Sequence, residues 1–140
     1  MKNQLFALIG LGLLLATASA YAQTGVVKAN VPFNFIVYKT QIPAGRYTIQ
    51  PLGTLSSNAM TIESSDGKVV KAFLPNACES SRAQEKTKLV FHRYGDQYFL
   101  AQIWTEGNNR GSELPKTERE QEVAMSYPTA QDVVVVATLR

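Results

Sequence analysis

The chain carries one histidine and one cysteine in 140 residues. Each scarcity removes a class of function. With Cys78 alone, no intramolecular disulfide can form, and the core must hold the fold by itself. One histidine and one cysteine cannot furnish a closed zinc site, and no Asp-x-Asp-x-Asp loop offers calcium an oxygen cage. Phosphate-binding glycine loops and the Gly-x-Ser-x-Gly elbow are also missing. No metal and no cofactor are therefore expected. Charge is thin as well: 14 Lys and Arg stand against 11 Asp and Glu. The basic residues Lys28, Lys39, Arg46, Lys68, Lys71, Lys86, Lys88 and Arg93 are scattered, without the patch that phosphate neutralisation requires, so no nucleic-acid partner is expected.

What is present begins with an address. Lys2 precedes an uncharged apolar run, Leu5 to Ala16, and the small-x-small patterns Ala18-Ser19-Ala20 and Ala20-Tyr21-Ala22 follow it. This reads as a signal peptide, residues 1–22, cleaved after Ala22; the apolar core is short for a membrane span, and an uncleaved anchor is the lesser alternative. No stable membrane span is expected once the signal is removed. A secreted or periplasmic domain of 140 − 22 = 118 residues remains, 23–140, enough for one core.

The strongest structural signal is Leu89 to Trp104, two β-rich runs hinged on Gly95-Asp96. Glycine at the first position of a two-residue loop suits a type II′ turn, which sets the register: Tyr94 faces Gln97, Arg93 faces Tyr98, His92 faces Phe99, Phe91 faces Leu100 and Val90 faces Ala101. One face then carries Leu89, Phe91, Leu100 and Tyr98, the other Val90, Phe99, Ala101 and Ile103, so the pair should sit centrally with cover on both sides. Val27 to Tyr38 alternates as a half-buried strand; Pro32 cannot donate to a ladder, so the run is either an edge or is broken there by a bulge into two short strands. Pro43-Ala44-Gly45 turns into a strand at Tyr47, a pattern similar to strand openings in extracellular β-sandwich modules. Asp66-Gly67 marks a second hairpin between Ala59–Glu63 and Lys68–Leu74. Residues 75–88 read as a crossing loop containing Cys78. Thr117-Glu118-Arg119-Glu120 matches a capping box opening a short surface helix to about Met125, with Pro128 beyond it, and Val133 to Leu139 reads as a buried strand. The expected class is all-β: an antiparallel β-sandwich, with a partly closed barrel as the alternative, of about seven strands and one short surface helix.

The pattern Phe91-x-x-Tyr94-Gly95-x-x-Tyr98-Phe99-Leu100-x-x-Ile103-Trp104, with Gly111-x-Glu113-Leu114-Pro115-Lys116, Arg119-Glu120 and the earlier Ile42-Pro43-Ala44-Gly45-x-Tyr47, resembles an uncharacterised family of short secreted bacterial proteins. The likeness spans most of the mature chain. It implies export and brings no activity, ligand or catalytic residue.

Packing explains His92, mid-strand opposite Phe99. A hydrolytic triad would need Cys78, Ser80 or Ser81 to converge on it with Glu106 or Asp96, and no signature marks such an arrangement, so no catalytic residue is assigned. Tyr94, Tyr98 and Trp104 are candidates for an aromatic platform on which a sugar ring could stack. Glu106 to Glu122 is the most charged stretch of the mature chain; as a long detour between apolar strands it makes Arg110, Lys116 and Arg119 candidates for partner contact. The leading expectation is a non-catalytic secreted β-domain binding a protein or envelope component. The alternatives, in order, are an assembly subunit that adds a strand at a sheet edge through its N- or C-terminal strand, a carbohydrate-binding module, and last a hydrolase.

Overall fold

The computed structural model describes residues 25–52 and 58–140; the expected signal segment 1–22 lies outside the described residues. In chain order the strands are β1 (Val27–Val31), β2 (Phe35–Val37), β3 (Thr40–Ile42), β4 (Gly45–Pro51), β5 (Met60–Ser64), β6 (Val70–Phe73), β7 (Asn76–Glu79), β8 (Lys88–Tyr94), β9 (Gln97–Trp104), β10 (Arg110–Glu113), β11 (Gln131–Val136) and β12 (Thr138–Leu139). One helix, α1 (Glu118–Ser126), lies between β10 and β11.

They form two sheets. The first runs β12-β1-β4-β5-β6; the second runs β11-β8-β9-β10-β7, with β2 alongside β9 and β3 paired to β2. The sheets do not close into a barrel, and the fold is an all-β sandwich. Val27, Val31, Tyr47, Ile49, Ile62 and Phe73 from the first sheet meet Phe35, Leu89, Phe91, Leu100 and Ile103 from the second in one buried cluster. Burying each such side chain contributes roughly 1.5–3 kcal/mol before the entropy of ordering it is set against the gain.

A break at Pro32 divides the N-terminal run into two strands that join different sheets, β1 in the first and β2 in the second. The return corner is tied from both sides. Tyr47 donates its hydroxyl to the Pro43 carbonyl at 2.5 Å, in the manner of a tyrosine corner, and the Asn34 side chain accepts from the Ala44 amide at 2.9 Å. The Asp-Gly hairpin joins β5 to β6, with Gly67 at φ +74 and Asp66 accepting from Ser64 and the Lys68 amide.

Four expectations need correction. Residues 75–88 contain a strand, β7, so Cys78 stands on an edge strand paired with Gly111 instead of in a loop. The charged detour contains β10, which bridges β9 and β7. Its polar sequence, Arg-Gly-Ser-Glu, hides it from hydrophobic patterning. The valine-rich C-terminal run is not buried: β11 is an edge strand whose Val133 and Val135 are half-buried while Val134 and Val136 are 52% and 60% exposed. The chain then crosses at Ala137 to give β12 in the other sheet. The strand total, twelve among the described residues, exceeds seven because several strands have only two to four residues.

The central hairpin forms as expected for its first four pairs, Tyr94↔Gln97 to Phe91↔Leu100. Gly95 has φ +62 and Asp96 is not at positive φ, the pattern of a type II′ turn. Beyond Phe91 the register shifts, and Val90 pairs with Gln102 instead of Ala101. That one-residue bulge moves Ile103 opposite Leu89 and into the main core, the reverse of the face expected for it. Cover on both sides is present: the sandwich core lies on one face, and on the other Val123 and Ala124 of α1 pack against Ile36, Tyr94 and Phe99.

Candidate functional site

Three regions bear on function: a polar cluster beneath α1, the β11 edge, and a cleft at the hairpin tip.

Alternation along β8 puts His92 and Tyr94 on the face covered by α1. Thr117 caps the helix, its hydroxyl accepting from the Glu120 amide at 3.3 Å. The reciprocal half of a capping box is not made. Instead Glu120, 5% exposed, turns its carboxylate onto the sheet: Oε2 accepts from the Tyr94 hydroxyl at 2.9 Å and lies 2.9 Å from His92 Nδ1. Facing a carboxylate, Nδ1 is the ring nitrogen that carries the proton. The hydrogen bond to Glu120 raises the His92 pKa; burial opposes the shift, the charges of Glu120 and Asp132 add to it, and Lys116 works against it. Burial first, and Glu120 second, push the Tyr94 phenol up to about 12, so it remains a protonated donor.

The cluster does not assemble a nucleophile. His92 Nε2 has Asp132 Oδ1 at 3.9 Å. Cys78 lies on β7, three strands from β8, which at the usual strand spacing is about 14 Å. Its thiol is pushed up by burial and by the charge of Glu113, which keeps it protonated. Ser80 and Ser81 follow β7 directly. The carboxylates beside His92 are Glu120 and Asp132, not Glu106 or Asp96. Nothing in the sequence pairs Glu120 with it except the alternation of two polar-tipped residues, His92 and Tyr94, on one strand face that a helix must cover.

The aromatic platform is not formed. Tyr94 and Trp104 are 1% and 6% exposed. Tyr94 is beneath α1, and the Trp104 indole lies over Gly111 of β10, where an added Cβ would fall 2.6 Å from the ring. Tyr98 alone stays partly exposed, stacked on Phe33 with centroids 3.8 Å apart. The three cations also go separate ways. Arg110 pairs with Glu79 across β10 and β7 at 3.5 Å, Lys116 precedes α1 near His92, and Arg119 lines the hairpin-tip cleft together with Tyr98. The cleft therefore joins one residue from each expected set.

At the other side of the hairpin, β11 pairs with β8 from Gln131↔Arg93 to Val136↔Lys88, and its outer edge has no strand partner among the described residues. Val134 and Val136 border a groove of about 460 Å³ that three basic residues, Arg82, Lys86 and Lys88, and one acidic residue, Glu85, also line. The N-terminal strand is not such an edge, because β1 lies between β12 and β4.

No family model, no curated protein and no solved structure matches this chain. The reading of its function rests on these three regions.

Proposed function

We propose that the protein is an exported, non-catalytic β-domain that binds a protein partner of the cell envelope by accepting an added strand at β11. The supporting observation is the contrast among sheet edges. β12 has two residues, β3 has three and begins beside Lys39, β6 contains Lys71, and β7 ends in Glu79. Short strands and charges are the usual protection of an edge against pairing. β11 has six residues, and from Val133 to Val136 it holds neither charge nor proline while showing two valines to solvent. An extended segment laid against it would gain main-chain hydrogen bonds, with an apolar side chain set against Val134 or Val136 and acidic groups near Arg82, Lys86 and Lys88.

The double variant Val134→Lys, Val136→Lys tests this. Both side chains are exposed, so the melting temperature should stay within a few degrees, while capture of envelope proteins by the purified exported chain should fall at least about tenfold. Capture undiminished by the two lysines would remove the edge from the interaction.

A further inference from the structure

The geometry points to the cleft at the tip of the β8–β9 hairpin as a binding site for a neutral saccharide. It lies on the β9 side of the hairpin, away from β11, and goes beyond the edge-docking reading. Along β9 the sheet is held to β2 by a single parallel pair, Ile36↔Phe99. Short of that pair the two segments separate, and a cleft of about 460 Å³ opens between Phe33–Ile36, the turn residues Asp96–Tyr98 and the start of α1. That volume falls within the range of small-ligand sites.

Buried Phe35 and Ile36 provide its floor. The stacked pair Phe33 and Tyr98, inclined by only 14°, forms one apolar wall. It is held in place: Phe33 sets its edge relation to Phe91 at 5.0 Å, and Arg93 lies 5.4 Å over Tyr98. The remainder of the lining is polar. Asn34, Gln41 and Gln97 each bring an amide that can both donate and accept. The Asn34 oxygen is engaged by the Ala44 amide, which orients its NH2 group. The side chains of Gln41, Asp96, Gln97 and Arg119 make no hydrogen bond or ion pair among the described residues, so their capacity is open to a ligand.

Three features select the ligand class. Asp96 and Arg119 cancel in charge, which disfavours phosphates and other strong ions. The dense polar rim disfavours an apolar molecule, whose burial would strip water from those groups without replacing it. Adjacent hydroxyls that donate and accept match amide, carboxylate and guanidinium groups, while the C–H face of a pyranose suits an aromatic wall.

The test is a titration of the 15N-labelled exported chain with cellotetraose, maltotetraose and the tetrasaccharide of N-acetylglucosamine, with a blocked triglycine peptide as comparator. At least one saccharide should shift amides at residues 33–36, 41, 96–98 and 119 in a saturable way below about 10 mM. Gln97→Ala and Arg119→Ala should each weaken it roughly tenfold with unchanged melting, because neither side chain has a hydrogen-bond or ion-pair partner among the described residues. The Val134→Lys, Val136→Lys variant should leave it unaltered, which separates failure here from failure at β11. No shift with any of the three sugars, shifts centred elsewhere, or an equal response to the peptide would overturn the proposal.

Discussion

Glu120 is the residue on which the helix-covered face depends. It serves Tyr94 and His92 with one oxygen, so Glu120→Ala leaves two partly or fully buried donors without a partner, a loss of about 1–3 kcal/mol that urea unfolding would measure. The same contact makes stability depend on pH, with a definite sign. The folded state holds the His92 pKa above its ordinary 6.5, so protonated His92 favours folding. That contribution is complete below pH 6.5 and is lost as pH rises through the raised folded-state value. The melting temperature should therefore fall across this window. His92 is the only histidine, so His92→Gln should flatten the slope. A slope that survives the substitution would show that another group carries it. Gly111 makes a second demand at this scale: a Cβ there meets Trp104 at 2.6 Å, close to the backbone oxygen of Ile103 at 2.9 Å. Gly111→Ala should cost about 1–3 kcal/mol, and the fluorescence of Trp104, the single tryptophan, should report displacement of the ring. Neither requirement was legible in the sequence, because both arise between elements: Glu120 looked like a cap for its own helix, and nothing local tells Gly111 that an indole covers it.

Among the elements, those written in local chemistry were readable. Gly95-Asp96 and Asp66-Gly67 name their turns, Pro32 marks the break between β1 and β2, and Thr117 starts α1. What failed was register beyond the first irregularity. The bulge at Ala101 has no glycine to announce it, and it exchanges the faces of every residue that follows, taking Ile103 to the core. Polar strands failed for a related reason. β7 and β10 pair with each other, β10 also pairs with β9, and neither carries hydrophobic alternation of its own. Valine-rich β11 misled in the opposite direction: β-branched residues favour a strand and leave open whether the strand is covered. An unexpected device shows at the β2–β3 turn, where Tyr38 holds φ +55, a costly conformation for a bulky side chain. Its hydroxyl accepts from the Leu74 amide at 2.9 Å and donates to the Leu74 carbonyl, which ties that turn to the end of β6.

At the scale of the whole molecule, the sandwich class follows from strand patterning, but the arrangement of functional surfaces follows from topology. The chain changes sheet after β1, β3, β6 and β11, and these crossings leave β11 at one border of the second sheet, with β7 at the other and the β2–β3 pair branching from β9. The two proposed sites, a strand-accepting edge and a saccharide cleft, therefore lie on opposite sides of one hairpin. The most direct measurement is hydrogen exchange on the purified chain, with and without an envelope protein fraction. Amides of Gln131–Val136 that point away from β8 should exchange freely alone and slow markedly when the fraction is added, while β1 and β9, internal to their sheets, keep the same protection. Binding that leaves β11 exchange unchanged would contradict strand addition as the function of this edge.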